Sequence, residues 1–426
     1  MAETLSTFDV GAFLQLLAAG IGLANDRWIG LPRNIALLLG AILVAAVVML
    51  ADLVRPDGPV VDLWRERLTR AHLSSVLLDG VLALLLFAST LHINPRDLRD
   101  RAWSVLTLAT LGVVVSTAFF GIGLHWIAGA LGQPIPLIWC LVLGAVLAPT
   151  DAVVVEGLLR RARLPAALRG MISGESLFND GAAVVLFLAT LAFAAGDPDV
   201  VGHGRLALAI TWEALGGAAL GWLAGLLAVA LSRGVGDRSL ELTLSLALAL
   251  GSYRLAVAGG MSGPIAVVAA GLAWGHDKRR RDAQAEQALA PWGVIDDVLN
   301  TWLFLLMGFH ILVLRPAHDG WILLPAALVL ALAARLVSVT PPVLATRLAA
   351  PDKARGVAVL TWTGMRGGIS IALAMTLPET PWRETLLALA YAVVTLSIVA
   401  QGLTVPALLR RLYPPPGSRD RHTSNG

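Results

Sequence analysis

Residues 173–187 read SGESLFNDGAAVVLF, so a Glu, an Asn and an Asp stand at the head of a stretch that runs on as apolar. Ser176 and Asp180 are four residues apart, which on a helix places them on one face, whereas Glu175 is rotated by about 140° from Asp180. The two carboxylates therefore have different partners. Asp180, with Ser176 and Asn179 nearby to supply oxygens, suits a hard monovalent cation, which takes several oxygen ligands and a compensating negative charge. Glu175 reads as structural. Unpaired in an apolar setting it would simply protonate, so its natural partner is an intramembrane Arg, and Arg335 is the expected one.

Two further charges sit in broken surroundings. In GAVLAPTDAVVV, Pro149 removes the backbone donor that would serve the carbonyl of Ala145, so a helix is expected to break just before Thr150 and Asp151. In TWTGMRGGIS, Gly364, Gly367 and Gly368 surround Arg366 and favour an unwound stretch. Irregular backbone at membrane depth persists only where it lines a cavity or is buried in protein. A helix break alone reads as packing or kinking, but a charge at each break turns the reading toward a transporter's binding site.

The elements that must position these residues are membrane helices. Of 426 residues, 57% are hydrophobic and 14% charged, far from the balance of a soluble domain. Apolar runs able to cross a hydrocarbon core of about 30 Å recur along the chain. The reading is an all-α polytopic membrane protein of about thirteen spans: 9–25, 34–51, 73–94, 103–130, 136–158, 171–194, 206–232, 239–258, 262–275, 292–314, 320–345, 356–377 and 385–408. The eighth and ninth could also form one re-entrant unit around AGGMSGP.

Of the 32 Lys and Arg residues, 22 fall in connections on the side of the C-terminus, seven on the opposite side, and three (Arg254, Arg335, Arg366) inside spans. The positive-inside rule then gives an N-out, C-in chain in a cell membrane. At a rise of about 1.5 Å per residue, Asp180 lies roughly 16 Å from Arg169, Asp151 roughly 13 Å from Arg160 and Arg366 roughly 16 Å from Arg355. All three reach a similar level near mid-membrane, where an ionisable side chain is costly and points to function.

The remaining polar residues are weaker candidates. Asp79 and Glu241 read as structural or interfacial, Asp296 with Asp297 as an interfacial pair, and Arg254 as a snorkelling side chain. Glu156 fits an inner funnel or snorkelling equally well. His92, His125 and His310 share no metal-ligand spacing, and no nucleophile–base pair or HExxH, GxSxG, Walker or GxGxxG motif stands in a supporting context, so the chain does not read as an enzyme. The net charge of +3 reflects loop arginines near anionic lipid and implies no nucleic-acid partner. Cys140 is the single cysteine and excludes an internal disulfide. No cleavable signal peptide is expected, and 413–426 (YPPPGSRDRHTSNG, from Tyr413) reads as a short disordered cytoplasmic tail after a membrane domain at 1–412.

APTDAVVV followed by SGESLFNDGAAVVLF resembles the paired signature of the monovalent cation:proton antiporter-1 family, the NhaP-type and animal sodium/proton exchangers. The likeness continues through SGPIAVVAAGLAWG, LNTWLFLLMGFHI, LAARLVSV, GMRGGISIALAM and SIVAQGLTVPALLRRL, so it covers nearly the whole membrane region. The resemblance implies an inverted-repeat fold whose unwound fifth and twelfth helices cross. It implies a dimerisation part at roughly 9–94 and 206–314, a core part at roughly 103–194 and 320–408, and a homodimer in the lipid bilayer. It also implies that Asp180 binds either cation or proton, with Thr150 and Asp151 beside it, Asn179 holding the site together and Ser176 near the ion. Glu175 and Arg335 match the family's stabilising ion pair and Arg366 its unwound-helix arginine. Two departures bear on cation preference: Ala88 and Val257 stand where the family often has Glu.

The expected function is secondary antiport without cofactors: Na⁺, or Li⁺ or K⁺, exchanges for H⁺ by competition for Asp180 under alternating access. The resemblance adds a one-for-one, electroneutral stoichiometry. A passive cation channel would use the same acidic cavity without proton coupling. A non-transporting scaffold or sensor is the third reading, disfavoured by charges clustered at helix breaks.

Overall fold

The computed structural model describes residues 7–54, 80–92, 102–151, 164, 166–196, 208–209, 211–281, 285–312, 314, 320–346 and 350–414. Among them every regular element is helical, as apolar segments must be where no water is present to satisfy backbone groups. The helices are α1 (Thr7–Ala24), α2 (Arg33–Val54), α3 (Leu82–His92), α4 (Trp103–Ala130), α5 (Leu137–Val146), α6 (Ala166–Ala195) and α7 (Trp212–Ser232). They continue with α8 (Arg238–Ala258), α9 (Gly263–Arg281), α10 (Ala285–Phe309), α11 (Leu324–Leu344), α12 (Ala350–Thr363), α13 (Gly368–Met375) and α14 (Arg383–Leu412).

Each expected apolar run carries a described helix. Eight of these are long and apolar enough to cross a membrane, and there is a ninth span if the α12–α13 pair is one interrupted crossing. The segments around AGGMSGP form two helices, α8 and α9. Asp79, Glu156 and nearly all of the tail lie outside the described residues.

The chain divides into two compact units, each assembled from distant parts of the sequence. The first comprises 1–92, 202–321 and 368–391. Its centre is α9, which packs on α7, α8 and α3, while α10 packs on α2 and α3. Small residues explain the close approach of α7 and α9: Gly217, Gly221 and Gly225 recur every fourth residue on one face of α7. A Cβ at Gly217 would lie 2.7 Å from the carbonyl oxygen of Ser262, one at Gly225 would lie 2.7 Å from the Ala273 methyl, and one at Gly221 would run into the Ala266 carbonyl.

The second unit comprises 93–201, 322–367 and 392–426. Here α4 packs on α5 and α11, α6 on α5, and α11 on α12. The α4–α5 contact is again backbone on backbone, since a Cβ at Gly144 would lie 2.6 Å from the carbonyl oxygen of Thr117. A π turn at Leu108–Gly112 interrupts α4 where it faces α6. Such a turn inserts one extra residue and re-aims the side chains that follow it.

Candidate functional site

The site lies in the second unit, where two chain segments leave the helical path. Helix α5 ends at Val146, and residues 147–151 continue without helical structure. Pro149 has no N–H to continue the ladder, and the Ala145 carbonyl accepts from Ala148 in a tighter turn at 3.3 Å. Residues 364–367 form the second irregular segment, between α12 and α13. The two segments meet through their backbones: the Asp151 N–H donates to the Met365 carbonyl at 2.8 Å.

Arg366 holds this meeting point. Its Nη1 donates to the carbonyls of Ala148 at 2.7 Å and Pro149 at 3.5 Å, and its Nη2 to the Ala331 carbonyl at 3.4 Å. The Ala148 and Pro149 carbonyls are ones that the broken helix leaves without an intrahelical donor, and a cation there also complements the negative end of α5. The backbone N–H of Arg366 donates to Ser397 Oγ on α14 at 3.2 Å, and that hydroxyl donates onward to the Val394 carbonyl. Thus Arg366 serves backbone oxygens in the geometry shown.

Opposite the break stands α6, which packs on α5 and presents the polar residues of its first half. Asn179 Nδ2 donates to Thr150 Oγ1 at 2.7 Å, and Thr150 Oγ1 lies 3.3 Å from Ser176 Oγ. All three side chains are buried. Asn179 Oδ1 is fully buried and carries no hydrogen bond among the described residues. Asp180, on the next position of α6, is 8% exposed. Half-buried Asp151 is the charged group whose field acts on it. Two carboxylates, two hydroxyls and an amide oxygen form a hard-oxygen set, which suits a small cation better than a soft transition metal.

Glu175 faces elsewhere, as its rotation around α6 requires. Both of its oxygens are held by Arg335 of α11, through Nη1 and, at 2.8 Å, through Nη2. Arg335 Nε also donates to the Leu360 carbonyl at 3.1 Å. Both side chains are buried, and Gly364 leaves the room for the guanidinium, since a Cβ there would run into it. The bidentate fork satisfies both charges without water.

The other polar residues make contacts of their own. Glu241 pairs with Lys278. His125 Nδ1 lies 2.8 Å from the Ile135 carbonyl. His310 packs against Tyr391 with tilted rings whose centroids are 6.0 Å apart, and Asn300 Nδ2 donates to the Asp296 side chain at 3.1 Å. Ala88 is fully buried, whereas Val257 is exposed. Sequence reasoning missed Ser397 and the carbonyls of Ala148, Ala331, Leu360 and Met365. A carbonyl carries no residue-type signal, and Ser397 shows only as the first residue of SIVAQGLTVPALLRRL.

A profile of the family described as sodium/hydrogen exchanger, transmembrane, matches residues 14–411. The Na(+)/H(+) antiporter NhaP of Pseudomonas aeruginosa is 36% identical over 424 residues, covering 94% of this chain and 97% of that one. The Na(+)/H(+) antiporter NhaH of Halobacillus dabanensis is 28% identical over 407 residues, covering 94% and 96%. The fold is similar to that of the sodium proton antiporter MjNhaP1 from Methanocaldococcus jannaschii at pH 8, with a TM-score of 0.73 and 17% identity over 95% of this chain and 98% of that one. With the family profile running through all but the ends of the sequence, this multi-pass membrane protein belongs to the transmembrane sodium/hydrogen exchanger family.

Proposed function

We propose that the chain is a secondary active antiporter exchanging Na⁺ for H⁺, with Asp180 as the group for which the two ions compete. The observation that carries this reading is the position of Asp180: buried in the middle of α6, beside the α5 break and within the field of Asp151. Among the described residues no hydrogen bond occupies its carboxylate. In this proposal those oxygens take a cation or a proton. The names of the relatives supply Na⁺ as the first cation to test.

In this proposal Asp151, Thr150, Ser176 and Asn179 complete the oxygen shell, and Glu175 with Arg335 fixes α6 against α11. Arg366 holds the broken α5 in place. An empty, ionised Asp180 is costly to carry across a low-dielectric layer, whereas the cation-bound and protonated forms are neutralised and can cross. Binding of one ion releases the other by linkage, so counter-movement follows from competition at one site. One cation for one proton is part of the proposal, as are thirteen spans with the N-terminus outside. The proposal also gives the dimer interface to roughly 9–94 and 206–314 and ion carriage to roughly 103–194 and 320–408.

The test is intravesicular pH in proteoliposomes under clamped potential, after pulses of NaCl, LiCl, KCl and choline chloride. Wild type is expected to move protons on a Na⁺ pulse, and folded Asp180→Asn to move none. Full exchange by Asp180→Asn would sink the assignment. Asp180-dependent cation flux without proton movement would replace the antiporter with a channel.

A further inference from the structure

Gly367 closes the unwound stretch 364–367, and it touches an ion-site side chain. Its backbone is not among the positive-φ glycines, so an L-residue could adopt the same conformation. Space is therefore what this glycine supplies. A Cβ added at Gly367 would lie 2.5 Å from Oδ2 of Asp151, 2.6 Å from its Cβ and 2.8 Å from its Cγ. Non-bonded heavy atoms settle at about 3.5–4.0 Å, so even one methyl group must displace the carboxylate by roughly 1 Å. The Asp151 backbone cannot simply retreat. Its N–H is tied to the Met365 carbonyl at 2.8 Å, and the two carbonyls before Thr150 are held by Arg366.

We propose that Gly367 is a positioning residue of the ion site: the missing side chain berths the Asp151 carboxylate where it can share a cation with Asp180, and so sets cation affinity. This rests on the reading above, in which the two aspartates hold the ion. Gly364 has a different neighbour, the Arg335 guanidinium, so the two glycines of one short segment serve different charges. A methyl at 367 acts on ion binding, and one at 364 acts on the structural pair.

The experiment compares wild type, Gly367→Ala, Gly367→Ala/Asp151→Gly and Asp180→Asn. Each is assayed for Na⁺-driven proton movement in proteoliposomes and for the Na⁺-induced rise in thermal midpoint of the purified protein. Gly367→Ala is expected to raise the KM for Na⁺ on the order of tenfold, because the carboxylate is moved from its charge partner. Its kcat should stay within about twofold, and its Na⁺-induced thermal shift should shrink. An unchanged KM and thermal shift overturn the proposal, and so does a fall in kcat at unchanged KM. If Gly367→Ala does not fold, the double variant decides, because removing the Asp151 side chain leaves room for the methyl. A folded double variant supports the berth, and an unfolded one overturns it. Failure of the antiporter reading looks different: exchange then survives in Asp180→Asn or is missing in wild type, while the thermal shift still compares Gly367→Ala with wild type.

Discussion

At the scale of single residues, the buried charges fall into groups with different jobs. Glu175 and Arg335 satisfy one another through a bidentate contact inside the second unit. Removing one partner leaves the other charge buried and uncompensated, at a cost of about 3–5 kcal/mol. Glu175→Gln is therefore expected to lower the thermal midpoint sharply, and Glu175→Gln with Arg335→Met to recover part of the loss; thermal unfolding of the purified proteins checks both. Arg366 stabilises backbone. Arg366→Leu strands the carbonyls of Ala148 and Pro149, each worth about 1–3 kcal/mol when left unsatisfied in a dry site. We expect loss of exchange together with a lower midpoint. Arg366→Lys should rescue only part, because one ammonium cannot reproduce the planar fork that spans α5 and α11.

At the scale of elements, two devices act through backbone geometry. The first is the break after α5. Pro149→Ala restores a donor N–H and lets the helix extend toward Asp151, turning that side chain away from α6. The expected outcome is slower exchange at an undiminished thermal midpoint, a combination that a simple packing defect would not produce. The second device is the glycine face of α7. At Gly221 any side chain enters the Ala266 backbone, so Gly221→Leu must separate α7 from α9. That variant should fail to yield monodisperse protein in detergent, whereas the same change at Gly236, which has open space around it, should be tolerated. Size-exclusion profiles distinguish the two.

At the scale of the whole molecule, the proposed exchange is a linkage between two ions and one carboxylate. Protons displace the cation, so the apparent KM for Na⁺ should fall as pH rises, by up to about tenfold per pH unit while the proton is the dominant ligand. A KM independent of pH would show that the ions do not share a site. With one cation for one proton, imposing a membrane potential should leave the rate unchanged, which a potassium-diffusion potential tests directly. The basic connections predict the C-terminal side in the cytoplasm. A fluorescent protein fused at the C-terminus should therefore be bright in bacterial cells.

By itself the sequence determined the location of the apolar helices, the two places where they break, and the polar side chains standing at those breaks. Each of these is a local property. Pro149 lacks a donor wherever the chain goes, and Ser176 and Asp180 share a helical face at any tilt. Among three intramembrane arginines the sequence pointed to Arg335 as the partner of Glu175, and the tertiary structure joins the two in a bidentate contact. It also decided that Arg366 holds carbonyls, that Ser397 supports its backbone, and that Gly367 faces Asp151. Those choices depend on backbone acceptors and on empty space, which residue types do not encode. They arise only when helices distant in sequence pack together.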